Sequence, residues 1–219
     1  MIRTVLLFIA FFSIGISDAC AHEEKPLALN ESHKKIVAKI EDYFNGIRSL
    51  QSGFVQSSTS GAFAEGTVSI LKPNKMRLEY KPPHPVEIVA DGKYLIFHDK
   101  KLEQVTHMDL KSNPAAFLLE ENFRFANSNL TISDISDKQG TIEIAVYKTD
   151  EPLNGRVRLI FRRNPFELKQ WQITDAQQVK TMVSLTSAQF NVTLDEKLFE
   201  FKNPKKNLRP GDKGYNSRR

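Results

Sequence analysis

Two pairs of neighbouring histidine and acidic side chains come nearest to a metal site in this sequence. They are His98 with Asp99, and His107 with Asp109. Imidazole and carboxylate groups both bind metals, but each pair falls near the end of a predicted strand, where such side chains are usually solvated. The other histidines are scattered along the chain: His22, His33 and His84. We therefore expect no metal site and no other cofactor.

The sequence contains none of the common catalytic signatures. There is no Gly-x-Ser-x-Gly nucleophile elbow, no His-Glu-x-x-His zinc motif and no glycine-rich phosphate loop. The adjacent acids Glu120 and Glu121 are interpreted as a helix end in solvent. The only cysteine, Cys20, lies in a segment that we expect to be removed, so the mature chain has no disulfide, no thiolate ligand and no cysteine nucleophile. We expect a protein that is not an enzyme.

The first 21 residues have the pattern of a cleavable signal peptide. A short basic start precedes an apolar run over 4–16, and small residues end the segment before His22. The apolar run is too short for a membrane-spanning helix, which needs about 20 residues. A competing interpretation makes Cys20 a lipidated N-terminus, but the residues before it lack the usual leucine and include Asp18. We expect cleavage of residues 1–21 and a periplasmic location.

The formal net charge of +5 comes from the C-terminal end of the chain. Residues 202–219 contain seven basic side chains and one acidic side chain, and the body over 22–201 is close to neutral. We predict a disordered basic tail at 205–219, with weak attraction to anionic lipid head groups as an alternative role. The polar segment 22–31 contains Pro26 and is also predicted to be disordered. Nucleic acid is not an expected partner of an exported protein.

The sequence after Ser32 predicts an amphipathic helix, which Ser32 can cap. Apolar residues recur at helical spacing, among them Ile36, Ile40, Phe44 and Ile47, and charged residues occupy the opposite face. Such a helix must cover an apolar surface. An ordinary core-packing helix satisfies that requirement as well as any special role does.

From Leu50 onward the pattern changes to the alternation typical of strands with one buried face. Residues 75–80 (KMRLEY) alternate without a break, and Asp91 with Gly92 between two apolar runs predicts a hairpin with a type I′ turn. Strands are predicted at 67–71, 75–80, 86–90, 93–98, 102–107, 141–147, 156–161, 167–174, 179–185 and 200–201. About ten short strands joined by tight turns indicate a mainly β protein with a meandering antiparallel sheet.

One segment between the two groups of strands has a different pattern. Residues 112–120 (SNPAAFLLE) predict a short helix, with Ser112 or Asn113 as its cap and Pro114 in its first turn. The chain has no internal repeat. Removal of residues 1–21 leaves 198 residues, enough for one domain, and that domain is predicted at 32–204.

The predicted strands have many large apolar side chains, and only two helices are available to cover them. A curved sheet with too little filling encloses a cavity, and apolar ligands bind in the mouths of such barrels. A fully packed core is the alternative, and composition does not distinguish the two.

Several segments, in order along the chain, resemble the LolA family of periplasmic lipoprotein carriers, especially its alphaproteobacterial members. The segments are 50–56 (LQSGFVQ), 65–67 (EGT), 72–80 (KPNKMRLEY), 82–83 (PP), 88–92 (IVADG), 102–105 (LEQV), 113–119 (NPAAFLL), 164–168 (NPFEL), Trp171, 198–201 (LFEF) and Pro204. The resemblance covers nearly all of the mature chain. It implies an incomplete antiparallel β-barrel of about ten to eleven strands, with a helical lid over an apolar cavity.

The resemblance also implies which residues form the site. The acyl cavity would be lined by Phe54, Val68, Ile70, Met76, Leu78, Tyr80, Ile88, Ile96, Val157, Leu159 and Trp171. The lid would consist of Ile36, Ile40, Phe44, Phe117, Leu118 and Leu119. The family commonly has an arginine that hydrogen-bonds the lid where this chain has Lys72. Because lysine is a point charge and not a five-donor fork, we expect a looser or differently arranged latch.

The implied function is to carry lipoproteins between two membranes while shielding their acyl chains. The implied partners are acylated lipoproteins, an inner-membrane ATP-driven releasing complex of the LolCDE type and the outer-membrane receptor LolB. We expect a monomer. Two alternatives stay open: a LolB-like receptor anchored through Cys20, and a periplasmic lipid-binding sensor module with the same fold.

Overall fold

The computed structural model describes residues 25–113 and 115–203, which form one antiparallel sheet of eleven strands with a helix against one face. The strand order is β6-β5-β4-β3-β2-β1-β11-β10-β9-β8-β7, so β6 and β7 are unpaired edges and the barrel is incomplete. The predicted fold class is confirmed. The predicted signal peptide at 1–21 and the predicted tail at 205–219 lie outside the described residues.

Helix α1 comprises Glu31–Gly46. The strands are β1 Ser49–Ser58, β2 Phe63–Leu71, β3 Lys75–Tyr80, β4 Val86–Asp91, β5 Tyr94–Asp99, β6 Gln104–Asp109, β7 Leu130–Lys138, β8 Thr141–Lys148, β9 Arg156–Arg162, β10 Glu167–Thr174 and β11 Lys180–Phe190. Short 3₁₀ helices occur at Leu110–Ser112, Ala116–Leu119, Phe125–Asn127 and Glu196–Phe199. No helix of the described residues is long and apolar enough to cross a membrane.

Helix α1 begins earlier than predicted. Asn30, and not Ser32, caps it, because the Asn30 side chain accepts a hydrogen bond from the His33 N–H at 2.8 Å. Just before the helix, the Leu27 N–H donates to the Ile132 carbonyl at 2.8 Å, and Leu27 packs on the core. The prediction of disorder over 22–31 is therefore corrected for the described residues from 25 onward.

The hairpin between β4 and β5 lies where the sequence predicted it, but its turn is of another kind. Gly92 has a φ of 106°, whereas Asp91 is not in the left-handed region that a type I′ turn requires. Instead, the Asp91 carboxylate accepts hydrogen bonds from the N–H groups of Lys93 and Tyr94. This side-chain turn replaces the backbone conformation that was predicted.

The segment 112–120 is not an α-helix. It contains the end of one 3₁₀ helix and the whole of another, separated by Asn113, whose side chain accepts from the Ala115 N–H at 2.8 Å. A side-chain bond of this kind gives the backbone an alternative to helical bonds. Pro114 lies outside the described residues.

The chain after β11 covers part of the outer face of the sheet, which is the face opposite helix α1. No strand forms at 200–201, contrary to the prediction. Instead, Arg77 Nη1 donates to the Leu198 carbonyl at 3.2 Å, and the Phe201 ring lies 5.6 Å from that of His98. Phe199 is buried in this layer. This layer therefore covers part of the outer face of β3–β5, where Val89 and Ile96 are buried.

Candidate functional site

A cavity of about 80 Å³ lies between helix α1, the 110–119 segment and the inner face of the sheet. Its wall is almost wholly apolar. Among the described residues that line it, Lys72 is the only one with a charged side chain, and Asn113 and Tyr43 supply the other polar side chains.

One row of paired residues crosses the sheet at the level of this cavity. Phe190 pairs with Leu50, Leu50 with Ile70, Ile70 with Met76, Met76 with Ala90 and Ala90 with Leu95. All of these except Ala90 line the cavity. Directly opposed residues of antiparallel strands point to the same face, so the register of six strands brings these side chains together.

Nine of the residues that the sequence indicated lie in the cavity wall. Five come from strands: Val68, Ile70, Met76, Leu78 and Trp171. Three come from the predicted lid, namely Phe44, Leu118 and Leu119, and the ninth is Lys72.

Most of the other indicated residues fill the packed core on the same inner face but do not reach the cavity. These are Phe54, Tyr80, Ile88, Val157, Leu159, Ile36, Ile40 and Phe117. Phe54 and Tyr80 belong to a second row, through Gly66, which lies four residues further along the strands, roughly 13 Å away. The Tyr80 hydroxyl donates to Gln56 Oε1 at 2.8 Å within this packed end.

Ile96 needs a correction. It is paired with Val89 and alternates with Leu95, which lines the cavity, so Ile96 points to the outer face. There it is 3% exposed, and it is not part of the inner-face core. The side chain is buried, as the sequence suggested, but on the side that the chain after β11 covers.

Eleven residues of the cavity wall were not singled out from the sequence. They are Tyr43, Ile47, Leu50, Leu95, Leu110, Asn113, Ala115, Ala116, Leu168, Leu185 and Phe190. The helical spacing did include Tyr43 and Ile47 in the apolar face of α1. The strand residues could be recognised as inward-facing from the alternation of apolar and polar residues. That alternation does not show at which residue along a strand the packed core ends and the cavity begins.

Tyr43 ties helix α1 to the strands on one side of the cavity. Its hydroxyl oxygen accepts a hydrogen bond from the Leu168 N–H at 3.0 Å, and its ring makes edge contacts with Phe161, Phe166 and Phe190. Burial raises the pKa of the Tyr43 hydroxyl to about 12. The hydroxyl is therefore neutral at ordinary pH.

Lys72 ties the C-terminal end of α1 to the turn between β2 and β3. Its Nζ donates to the Phe44 carbonyl at 2.9 Å, and the side chain of Asn191 donates to the Gly46 carbonyl at 3.1 Å. The last carbonyls of a helix lack partners within the helix, and a cation there also interacts favourably with the helix dipole. Helix α1 has no basic residue in its own last turn. Lys72, in the turn between β2 and β3, therefore supplies the positive charge at this end of the helix.

Burial lowers the pKa of Lys72 to about 8, although the negative charges of Glu120 and Glu121 act in the opposite direction. No carboxylate of the described residues forms an ion pair with it. The ammonium group thus lies half-buried beside apolar surface without a counter-charge in contact.

A family comparison identifies the architecture. The model of the outer membrane lipoprotein carrier protein LolA matches residues 45–202 of the chain. The chain belongs to the LolA family. The matched region contains all eleven strands and the 110–119 segment, and so most of the cavity wall.

Individual relatives agree with this assignment. An outer-membrane lipoprotein carrier protein of Chromobacterium violaceum is 31% identical over 178 residues, which cover 77% of this chain and 84% of the relative. An uncharacterized protein of Rickettsia prowazekii is 26% identical over 187 residues, 84% of each chain. A DUF1329 family protein of Desulfovibrio piger, 9% identical, shares the fold with a TM-score of 0.50 over 77% of this chain and 96% of the other.

Proposed function

We propose that this LolA-family protein carries acylated lipoproteins through the periplasm, from the inner to the outer membrane, without catalysing a reaction. Family membership supports the carrier role, and the observation that carries the proposal is the apolar cavity beneath helix α1. Its lining has the chemistry of an acyl chain, and Lys72 is its one charged side chain among the described residues.

The cavity must enlarge before a lipid can enter. Pockets that enclose small molecules measure roughly 300–1,000 Å³, whereas this one measures about 80 Å³. Helix α1 and residues 116–119 would therefore act as a lid that moves away from the sheet. An acyl chain gains about 0.8 kcal/mol for each buried CH₂ group, and the cost of opening the lid would reduce this gain, so that the cargo can be released again.

Lys72 would act as the latch of this lid through its bond to the Phe44 carbonyl. The latch is a single hydrogen bond from a point charge. It would hold the last turn of α1 near the sheet without preventing its release.

A binding experiment tests the acyl site. The purified mature chain would be mixed with an acylated lipoprotein and with the same lipoprotein lacking its acyl chains, and complexes would be detected by native mass spectrometry. We expect a one-to-one complex with the acylated form only. Equal binding of both forms would contradict the proposal, because the cavity would then not be the site of recognition.

The remaining parts of the proposal concern location and partners. We infer export through a signal peptide cleaved before His22, a monomeric carrier, a releasing complex of the LolCDE type at the inner membrane and a LolB receptor at the outer membrane. The intact mass of the mature protein discriminates between carrier and receptor. An unmodified N-terminus at His22 supports the carrier, whereas a lipidated Cys20 supports the anchored receptor.

A further inference from the structure

The hydrogen-bonding capacity of Lys72 is only partly used. Its ammonium group has three N–H donors, and within the described part of the chain its one hydrogen bond goes to the Phe44 carbonyl. The same nitrogen lies 5.7 Å from the centroid of the Phe44 ring. Two donors therefore remain for water or for a ligand.

Lys72 lies where the cavity meets the solvent. Lys72 is half-buried, and so are Ile47, Asn113 and Leu118 in the same wall, whereas Leu78 and Leu95 further inside are buried. The turn that contains Lys72 is joined to the 110–119 segment, because the Asn74 N–H donates to the Leu119 carbonyl at 2.9 Å. The cation thus stands at the mouth of an otherwise apolar cavity.

A cation at the mouth of an apolar cavity matches one class of ligand. We propose that Lys72 binds the anionic head group, a carboxylate or a phosphate, of a single-chain amphiphile whose alkyl chain occupies the cavity. The proposal rests on the acyl cavity proposed above, but it adds a ligand class that needs no protein cargo.

Binding of such a head group would also release the latch. An ionised acceptor forms a stronger hydrogen bond with an ammonium group than a neutral carbonyl does, so the head group competes well with the Phe44 carbonyl for Nζ. The carbonyl would not lose all its partners, because it also accepts from the Ile47 N–H at 3.2 Å. Transfer of the Lys72 hydrogen bond from this carbonyl to the head group therefore costs little free energy and would free the last turn of α1.

Trp171 provides the readout. It is the only tryptophan of the chain and it lines the cavity. The purified mature chain would be titrated with dodecanoate, dodecyl phosphate and uncharged dodecanol below their micelle concentrations, and with inorganic phosphate alone. Tryptophan emission would be followed in each titration. We expect both anions to bind about tenfold more tightly than dodecanol, as one charge-assisted hydrogen bond would give, and inorganic phosphate not to bind.

Three variants assign the preference to Lys72. Lys72→Met keeps the length and removes the charge, and the anion-to-alcohol affinity ratio should fall to about one. Lys72→Arg should retain the ratio. Lys101→Met removes an equal charge from an exposed position on the β5–β6 hairpin and should leave the ratio unchanged. Circular dichroism would verify that each variant is folded.

The outcomes separate this proposal from the proposed carrier function. Equal affinities for dodecanoate and dodecanol in the unmodified chain, or an undiminished ratio in Lys72→Met, would overturn the head-group subsite and leave the acyl cavity intact. If none of the three chain-bearing ligands changes the emission of Trp171, the acyl cavity itself fails, and the subsite fails with it. A preference for dodecanoate over dodecyl phosphate, or the reverse, identifies the head group.

Discussion

The carboxylate of Glu41 accepts a hydrogen bond from the Phe125 N–H at 2.8 Å, which joins helix α1 to the chain that follows the 110–119 segment. The second carboxylate oxygen accepts from Arg124 Nη1, also at 2.8 Å. One helical turn further on, the side chain of Asn45 donates to the Phe123 carbonyl at 3.0 Å. Helix α1 and residues 123–125 are therefore tied together, and a lid that opens would either move both or break these bonds.

Replacing Glu41 with alanine should destabilise the protein. Glu41 is only 8% exposed, and its loss leaves the buried Phe125 N–H without an acceptor, which costs about 1–3 kcal/mol. Glu41→Gln keeps an acceptor oxygen for the Phe125 N–H and should therefore lower the stability less than Glu41→Ala does. Asp42→Ala, an exposed acid on the same helix, should have little effect. Urea unfolding of the three variants measures these differences. Equal losses for Glu41→Ala and Asp42→Ala would contradict the structural role of Glu41.

Gly66 should not tolerate a side chain, whereas Gly46 should. A Cβ on Gly66 would meet the Phe54 ring and the Glu79 carbonyl well inside contact distance, but a Cβ on Gly46 meets nothing within 4 Å. We expect Gly66→Ala to lower the free energy of unfolding by about 1–3 kcal/mol or more, because the added methyl group overpacks this site. Gly46→Ala, at the end of α1, should leave the free energy of unfolding unchanged or raise it by up to about 1 kcal/mol. Thermal unfolding of the two variants compares them directly, and a stable Gly66→Ala protein would show that Phe54 is not fixed over that strand.

The sequence predicted the strands well where one face is buried and the other is wet. Residues 75–80 and 167–174 were placed with their correct ends, because alternation and turn residues are local signals. Strand β7, Leu130–Lys138, was missed, since it is an edge strand with many polar residues and a bulge near Ser133.

The site could be predicted only in part, because the missing information is not local. Strands β4 and β5 have apolar residues on both faces, because Val89 and Ile96 are buried on the outer one, so alternation did not reveal that Ile96 points outwards. The position of the cavity along the strands depends on the register of six strands. The contact between Lys72 and the Phe44 carbonyl joins residues that are 28 positions apart. The family resemblance indicated Lys72 as the donor. That the Phe44 carbonyl is its acceptor follows only from how α1 lies on the sheet.

The stability of the protein should depend on pH through Lys72. Its pKa is about 8 in the folded chain, against an ordinary value of 10.5. Between these two values the unfolded chain binds more protons, so stability rises with pH. Glu120 and Glu121 are the acids that act on Lys72. The free energy of unfolding of the unmodified protein, relative to that of Lys72→Met, should therefore increase as the pH rises from about 8 to about 10.5.

Chemical denaturation at several pH values measures that difference, and effects of other groups cancel because both proteins share them. Lys101→Met provides the control, because it removes an equal charge from an exposed position. A difference between the unmodified protein and Lys72→Met that is constant with pH would mean that Lys72 is fully hydrated in the folded state.

A charge inside the cavity should abolish acyl binding without unfolding the protein. Met76 lies half-buried in the cavity wall, and Met76→Glu would place a carboxylate there, where an acyl chain cannot solvate it. Leu102→Glu is the matched control, because Leu102 is 58% exposed on the β5–β6 hairpin. Dodecanol titration followed by Trp171 emission should show binding to Leu102→Glu and none to Met76→Glu. Equal binding by the two variants would remove Met76 from the site.

The most direct measurement of the carrier function is the release of lipoproteins from spheroplasts. Spheroplasts would be incubated with the purified mature chain, with Met76→Glu, with Leu102→Glu or with buffer, and lipoproteins would be quantified in the supernatant. We expect release by the unmodified chain and by Leu102→Glu, in soluble complexes, and only background release with Met76→Glu. Background release with the unmodified chain, or equal release with Met76→Glu, would contradict the conclusion that this cavity carries lipoproteins.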